Sequence, residues 1–187
     1  MTIQISQKKL KRTSYIILSV LIACFLLSSC RSSKHMGKNG VGSIDFRQLA
    51  RAGLALGFDI DEMDDWPLMI ESAQWLGVPY KYAGNTKKGV DCSGLNCEVY
   101  KNVYRIQLHR NSKQQYEKDC HSVSLKKLQS GDLVFFAPDA KKKNINHTGI
   151  YLKDSKFIHA SSSKGVVVSS LMENYYLQRF VAGGRVK

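Results

Sequence analysis

The strongest constraint on the fold is the order in which helical and strand-like patterns follow one another along the chain. The first half carries apolar residues at helical spacing, and the second half carries short β-rich runs separated by Gly, Asp, Ser and Asn. Helices followed by a series of strands favour an α+β fold with an antiparallel sheet, because a βαβ repeat would alternate the two patterns. We therefore expect N-terminal helices packed on an antiparallel β-sheet.

Three helices are predicted. Residues 44–56 carry leucines and alanines at roughly helical spacing. Asp64 or Asp65 is expected to cap a second helix that has Pro67 in its first turn. The third helix follows Asp91, which is well placed as its N-cap residue. Five strands are expected after these helices, at 132–136, 148–152, 156–160, 165–169 and 180–186.

The third predicted helix carries a thiol at its N-terminus. In the segment GVDCSGLNCEVY, Cys92 directly follows Asp91 and so lies in the first helical turn. The partial positive charge at a helix N-terminus favours a thiolate and lowers the pKa of a cysteine placed there. Cys92 is therefore a candidate nucleophile, and it still needs a base.

Two histidines of the strand region are candidates for that base. His147 opens the predicted strand HTGIYL, and His159 lies in the next strand, FIHA, with residues 153–155 as a turn between them. A hairpin of this kind brings the two imidazoles together, so that one takes the thiol proton while the other orients it. The order Cys, His, polar residue is that of papain-like peptidases.

Two other interpretations of these residues stay open from spacing alone. Cys92 can be a buried helix residue, with His147 and His159 as unrelated strand histidines. The three side chains can also form a Cys/His/His zinc site, in which water would have to supply the fourth ligand.

The N-terminus carries the features of an export signal. Four basic residues precede an apolar run at 15–27, which has the length of a signal-peptide core and is short for a membrane span. The sequence LSSC that follows resembles a bacterial lipobox, which predicts a signal peptide at 1–29 and lipidation of Cys30. The alternatives are a second lipobox-like match that ends at Cys24 and an uncleaved anchor helix. Residues 30–43 are expected to form a flexible tether.

The charge balance bears on the choice of partner. The chain has a formal net charge of +13, and removal of a leader with four basic and no acidic residues leaves +9. A positive surface favours an anionic partner, such as an acidic cell-wall polymer or a membrane face. We expect no nucleic-acid partner, because the chain carries an export signal and no nucleic-acid-binding motif.

Three cysteines remain in the predicted mature domain once Cys24 and Cys30 are set aside. An odd number outside the cytoplasm implies at least one free thiol or an intermolecular partner. Besides Cys92 these are Cys97 and Cys120, which can pair in a disulfide or serve as small buried residues.

Four ordered motifs resemble those of a known enzyme family. The segments GVPYKYAGNTKKGVDCSG, SGDLVFF, NHTGIYL and KFIHASSSKGVVVSSL are similar to successive motifs of the NlpC-type cell-wall cysteine peptidases, and within that family to the Spr/MepS lipoprotein branch. The resemblance implies a papain-like α+β fold, with the nucleophile at a helix N-terminus packed on the sheet. It divides the remaining chain into an N-terminal helical extension at 44–65 and a peptidase domain at 66–187.

The resemblance also implies roles for the residues of the site. Cys92 would be the nucleophile, His147 the general base and His159 the orienting third member. Tyr80 would lie beside the thiol and help the backbone N–H of Cys92 to stabilise an oxyanion, and its alternative role is core packing.

Three further residues are implied to contact substrate. Asp91 and Ser93 flank the nucleophile where some relatives hold a free peptide amine, although Asp91 can equally serve only as a helix cap. Arg110 matches a motif arginine that meets a substrate carboxylate or braces the groove, and its alternative role is a surface ion pair.

One departure from the family pattern lies close to Tyr80. The family usually has Tyr-x-Tyr-Gly-Gly, whereas this chain has Ala83 before Gly84. The additional methyl group matters if the backbone there has a positive φ or approaches the substrate closely.

The predicted function is hydrolysis of peptidoglycan stem peptides by a monomeric, lipid-anchored endopeptidase without a metal or organic cofactor. The D,D cross-link is preferred as the cleaved bond over the γ-D-glutamyl–diamino acid bond. The alternatives are a non-catalytic cell-wall-binding lipoprotein and an acyltransferase that forms the same thioester. Because Arg31 and not aspartate follows Cys30, resemblance to enterobacterial sorting predicts the outer membrane, facing the periplasm.

Overall fold

The computed structural model describes residues 45–141 and 144–187. The predicted signal peptide, Cys30 and the tether all lie outside the described residues. Within the described ranges, no helix is long and apolar enough to cross a membrane.

The first helix, α1 (Phe46–Leu56), begins two residues later than the sequence pattern predicts, because Asp45 caps its N-terminus. Leu49 and Leu56 are buried on one face of α1, whereas Leu54 is 86% exposed. The reason is periodicity: residues seven positions apart share a helix face, and Leu54 is only five positions from Leu49. Leu54 is therefore a surface residue of the N-terminal extension.

The second helix, α2 (Trp66–Trp75), has the predicted start. Asp65 is its N-cap, and the carboxylate accepts a hydrogen bond from the backbone N–H of Leu68 at 3.1 Å. Pro67 lies in the first turn, where its missing N–H costs nothing.

The third helix, α3 (Cys92–Tyr104), starts at the thiol. Asp91 is its N-cap, as predicted, and Oδ1 accepts a hydrogen bond from the N–H of Gly94 at 2.8 Å. A small antiparallel ribbon of β1 (Asn85–Thr86) and β2 (Gly89–Val90) directly precedes it.

The rest of the chain forms a six-stranded antiparallel sheet in the spatial order β3-β8-β4-β5-β6-β7. The strands are β3 (Cys120–Val123), β4 (Leu133–Phe136), β5 (His147–Tyr151), β6 (Lys156–Ser161), β7 (Gly165–Ser170) and β8 (Phe180–Val186). All five predicted strands are confirmed. The sixth, β3, is not predicted from its residues CHSV, because only one of them is a strong strand former.

Short helical segments fill the connections. They are α4 (Ser112–Gln114), a π-helical turn (Gln115–Asp119), a 3₁₀ turn (Leu125–Lys127) and α5 (Asn174–Arg179). None of them is predicted by the sequence patterns, because segments this short lack a full period of apolar spacing. The last one, α5, contributes residues to the functional site.

The core lies between α3 and one face of the sheet. Leu95 and Val99 of α3 share one fully buried cluster with Ile150 of β5 and Ile158 of β6. Burial of each such side chain contributes about 1.5–3 kcal/mol. This packing confirms the predicted α+β class, and it fixes the N-terminus of α3 against the strands that carry the two histidines.

The N-terminal extension is joined to the domain by an ion-pair cluster. Lys153, in the turn between β5 and β6, lies 2.8 Å from Asp61 and 2.7 Å from Asp64, and it also donates to the carbonyl oxygen of Asp59 at 3.2 Å. The two carboxylates raise the pKa of Lys153, so the ammonium group remains charged. The segment between α1 and α2 is thereby held against the hairpin.

Ala83, where the family pattern has glycine, lies at a position with a positive φ. Ala83 has a φ of 57°, in the left-handed region, where a non-glycine residue costs about 1–2 kcal/mol. The next residue, Gly84, cannot be replaced by a residue with a side chain, because a Cβ there would clash with the carbonyl oxygen of Gly89.

We expect Ala83→Gly to stabilise the protein by up to about 1 kcal/mol, because relief of this strain exceeds the added freedom of the unfolded chain, about 0.4–1 kcal/mol. Ala55→Gly, at an exposed position of α1, is the matched control and should destabilise by about 1 kcal/mol. Urea unfolding measures both. Destabilisation by Ala83→Gly would contradict the assigned strain.

Candidate active site

Cys92 lies at the first position of α3 and is almost entirely buried, with 9% of its surface exposed. Burial raises the pKa of the Cys92 thiol, the charge of Asp91 acts in the same direction, and a hydrogen bond from the backbone N–H of Thr148 opposes both. The net direction is the reverse of that expected from the helix N-terminus alone. The thiol is therefore neutral in the free protein and needs a base to become a nucleophile.

The two histidines are brought together by strand pairing. His147 is the first residue of β5, and His159 lies in β6, its antiparallel neighbour. His147 Nε2 and His159 Nδ1 are 2.9 Å apart, with the ring planes nearly perpendicular. The predicted hairpin is thus confirmed, and its two imidazoles are hydrogen-bonded to each other.

The second nitrogen of His159 is also held. Nε2 lies 3.1 Å from the hydroxyl of Ser169 in β7 and 3.1 Å from the hydroxyl of Tyr176 in α5. A neutral His159 that donates from Nε2 to these hydroxyls accepts at Nδ1 from His147 Nε2–H. Nδ1 of His147 is then unprotonated, as a general base requires. If His159 donated from Nδ1 instead, Nε2 of His147 would be the acceptor and the proton of neutral His147 would lie on Nδ1.

Both imidazoles are neutral at ordinary pH, because the protein atoms around them exclude most of the water that would stabilise a charge. Burial lowers the pKa of His147 to about 4. Burial, and then the nearby charge of a protonated His147, lowers the pKa of His159 to about 3. The site therefore rests as a neutral thiol with a neutral base.

A cavity of about 290 Å³ joins these groups. It is lined by Tyr80, Cys92, Phe136, Ala137, Pro138, Asn146, His147, His159, Ala160, Ser161, Ser162, Tyr175, Tyr176 and Arg179. Four of the predicted site residues thus share one cavity: Tyr80, Cys92, His147 and His159. The cavity has room for one or two amino-acid residues of a peptide, and the thiol and the base both face it.

Tyr80 is held beside the nucleophile by the backbone. Tyr80 forms a parallel bridge with Val90, two residues before Cys92. Burial raises the pKa of Tyr80, and the charge of a Cys92 thiolate adds to this effect. Tyr80 therefore keeps its hydroxyl proton, as a donor to an oxyanion must.

The other three predicted site residues form a separate network that does not line this cavity. Arg110 pairs with both carboxylate oxygens of Asp91, at 2.7 and 2.8 Å, and also donates to the hydroxyl of Ser93 and the carbonyl oxygen of Gly84. Desolvation raises the pKa of Asp91, but the hydrogen bonds from Arg110 and Gly94 outweigh it, and the net shift is downward. This arrangement corresponds to the bracing and capping roles, with the carboxylate already neutralised inside the protein.

The remaining two cysteines do not line the cavity. Cys97 and Cys120 are free thiols, so the disulfide considered between them is not formed. Burial raises the pKa of Cys97 to about 11 and that of Cys120 to about 12. Within residues 45–141 and 144–187, no three His, Cys, Asp or Glu side chains are grouped as a metal-ion site.

Sequence reasoning misses three residues of the site: Ser169, Tyr176 and Arg179. Ser169 is one of many serines and lies in a strand, and the other two lie in α5, which has no sequence signal. The sequence indicates only that the orienting histidine, His159, needs a partner for its second ring nitrogen. It does not indicate where in the chain that partner lies.

The geometry can be compared with known proteins. The NlpC/P60 family pattern matches residues 77–185, more than half of the chain, so this chain belongs to the NlpC/P60 family. A solved NlpC/P60 family protein from Bacillus cereus superposes with a TM-score of 0.61 at 31% identity, covering 68% of this chain and 42% of that one.

Two relatives come from Escherichia coli (strain K12). The murein DD-endopeptidase MepS/murein LD-carboxypeptidase is 39% identical over 119 residues, which cover 64% of this chain and 61% of that protein. The probable endopeptidase NlpC is 40% identical over 112 residues, which cover 60% of this chain and 71% of that protein. The chain thus matches less than two thirds of the length of the MepS relative.

The raised pKa of Cys92 can be tested by alkylation. The rate of iodoacetamide addition at Cys92, followed by peptide mass spectrometry between pH 6 and 11, should have a midpoint above the usual value of about 8.5, because burial disfavours the thiolate. A midpoint at or below about 8.5 would show an activated resting thiolate and contradict the neutral pair.

The contacts of His159 with two hydroxyls can be tested by removing both hydroxyls. The double variant Tyr176→Phe, Ser169→Ala should lower kcat/KM by about tenfold and change the ¹⁵N NMR shifts that report the His159 tautomer, because Nε2 loses both partners. The double variant Tyr116→Phe, Ser122→Ala, which removes a tyrosine–serine hydroxyl pair outside the cavity, is the control and should alter neither. Unchanged ¹⁵N shifts in the first double variant would rule out this orienting role.

Proposed function

We propose that this protein is a peptidoglycan endopeptidase that hydrolyses stem-peptide bonds with Cys92, His147 and His159. The observation that carries the proposal is the 2.9 Å hydrogen bond between the half-buried imidazole of His147 and the buried imidazole of His159, which line one cavity with the thiol. Membership of the NlpC/P60 family and the endopeptidase names of its relatives support the substrate class.

Acylation starts from the neutral pair. His147 removes the thiol proton of Cys92 while the sulfur attacks the scissile carbonyl carbon, so that a C–S bond forms and the carbonyl π electrons move to oxygen. The oxyanion accepts hydrogen bonds from the backbone N–H of Cys92 and from Tyr80. The imidazolium then gives its proton to the leaving nitrogen as the C–N bond breaks.

Deacylation uses the same base. Neutral His147 removes a proton from water as the water oxygen attacks the thioester, and the proton returns to sulfur as the C–S bond breaks. The low pKa of His147 makes its protonated form a strong acid toward the leaving nitrogen. The same low pKa makes its neutral form a weak base toward the thiol, so thiol deprotonation is the demanding step.

The D,D cross-link between stems is the preferred bond in this proposal. The support is the DD-endopeptidase name of the relative that is 39% identical. The γ-D-glutamyl–diamino acid bond is the alternative. The network of Asp91, Ser93 and Arg110 serves here to cap α3 and to hold the loop that carries Tyr80, because Arg110 joins Asp91 to the carbonyl oxygen of Gly84.

The proposal includes the cellular setting. We propose a monomer that is anchored through a lipidated Cys30 in the bacterial cell envelope, in the outer membrane facing the periplasm. The support is the lipobox-like sequence LSSC followed by Arg31. Labelling with a clickable fatty acid tests it: label lost in Cys30→Ala supports the anchor, and equal label in both chains contradicts it.

The test of the activity is digestion of purified sacculi by the full chain in a mild detergent. Cys92→Ala should reduce the release of muropeptides to background, because the nucleophile is absent. Cys97→Ala removes a thiol outside the cavity and is the matched control, which should stay active. Mass spectrometry of the products identifies the bond, since loss of dimers with intact tetrapeptide monomers means D,D cleavage and dipeptide stems mean γ-glutamyl cleavage.

Two outcomes would contradict the proposal. If the unmodified chain and Cys92→Ala give identical products, hydrolysis is refuted and a wall-binding protein becomes the better description. If the product mass shows an added amine or hydroxyl acceptor in place of water, the thioester is used for acyl transfer.

A further inference from the structure

Arg179 is a charged residue of the cavity that the mechanism does not use. It is the last residue of α5 and lines the cavity together with Cys92 and His147. Among the lining residues of the described chain, it is the one that carries a permanent positive charge. A guanidinium group in the cavity of a proposed peptidase indicates that part of the substrate is an anion.

The guanidinium group is held in position. Nε donates to the carbonyl oxygen of Pro138 at 3.3 Å, Nη1 donates to the carbonyl oxygen of Tyr175 at 3.1 Å, and Cζ lies 3.9 Å from the centre of the Tyr175 ring. These neutral contacts orient the planar group without neutralising it. A pre-oriented guanidinium loses little freedom when it binds an anion.

Arg179 also differs from two other arginines of the domain. Arg110 is paired with Asp91 and Arg185 with Asp132, so a carboxylate of the protein already neutralises each. Within the described ranges, Arg179 has no acidic partner and no hydrogen bond from Nη2. Its charge is therefore available to a ligand, and a carboxylate, the anion that peptides carry, can accept two parallel hydrogen bonds from such a group.

The position of Arg179 indicates which part of the substrate it meets. Pro138 lies two residues after Phe136, the last residue of β4, and Phe136 is paired in register with His147. Arg179 therefore lies beside the end of β4 that is paired with His147, on the same side of the cavity as the base. His147 delivers its proton to the leaving nitrogen, so the leaving part of the substrate lies on this same side.

We propose that Arg179, stacked on Tyr175, binds a free carboxylate on the carbon that bears the leaving nitrogen, an inference that rests on the proposed function and narrows its substrate. In a D,D cross-link, the amine released from D-alanine belongs to a diamino-acid centre with a free carboxylate on that carbon. In a γ-glutamyl bond within a tetrapeptide stem, the corresponding carboxyl is tied up in the next amide. The site would therefore select the D,D bond.

The experiment uses two synthetic peptides with the same acyl-D-alanyl bond to a diamino acid. In one, the carboxyl next to the leaving nitrogen is free, and in the other it is a carboxamide. Hydrolysis is measured with the full chain, and binding is measured in the Cys92→Ala background by calorimetry. Each is repeated with Arg179→Gln, with Arg179→Lys, and with Arg51→Gln as a control that removes one exposed charge of α1.

We expect the free acid to be the better ligand and substrate, and Arg179→Gln to lower its kcat/KM and its affinity by about 10- to 100-fold. The carboxamide should be unaffected by this change, Arg179→Lys should retain part of the selectivity, and Arg51→Gln should alter neither peptide. A melting temperature unchanged by Arg179→Gln would show that the fold is intact.

Equal losses for both peptides, or no loss for either, would overturn the carboxylate site. So would failure of both peptides to bind at millimolar concentration. If acid-selective binding depends on Arg179 but no variant hydrolyses either peptide, the carboxylate site stands and the proposed hydrolase function fails. The two proposals can therefore fail separately.

Discussion

The hydrogen bond between His147 Nε2 and His159 Nδ1 is the contact on which the rest of the site depends. It exists because β5 and β6 are antiparallel neighbours. Their pairing brings the two ring nitrogens to 2.9 Å, although the histidines are twelve residues apart in sequence. The hydroxyls of β7 and α5 at the other nitrogen of His159 can accept a proton from it, and in that tautomer Nδ1 of His159 accepts from His147. Three strands and α5 thus act together to leave one nitrogen of His147 able to accept a proton.

Burial sets the chemistry of this pair. Removing the imidazoles and the thiol from water disfavours every charged form, so the site rests neutral and the helix N-terminus does not prevail over desolvation at Cys92. In the proposed mechanism, the first proton transfer therefore separates charge in a site that disfavours charged groups.

The helix α3 is held in position by two sets of contacts. Its apolar face packs on the sheet, and its N-terminus is tied by Asp91 to Arg110 and through Arg110 to the carbonyl oxygen of Gly84, in the loop that follows Tyr80. The segments that carry Cys92 and Tyr80 are thereby joined by one hydrogen-bond network. In contrast, Arg179 is oriented only by neutral contacts, which leaves its charge for a ligand.

Local sequence determined the helix that begins at Cys92, its Asp91 cap, the five predicted strands and the hairpin that carries His147 and His159, because caps, periodicity and a short turn act over a few residues. Family resemblance added Tyr80. Only the tertiary structure decided that Asp91 and Arg110 satisfy each other, that Ser169 and Tyr176 orient His159, that Arg179 enters the cavity, and that burial outweighs the helix N-terminus at the thiol. These depend on which distant segments meet and how much water they exclude, and neither is written in the spacing of residues along one chain.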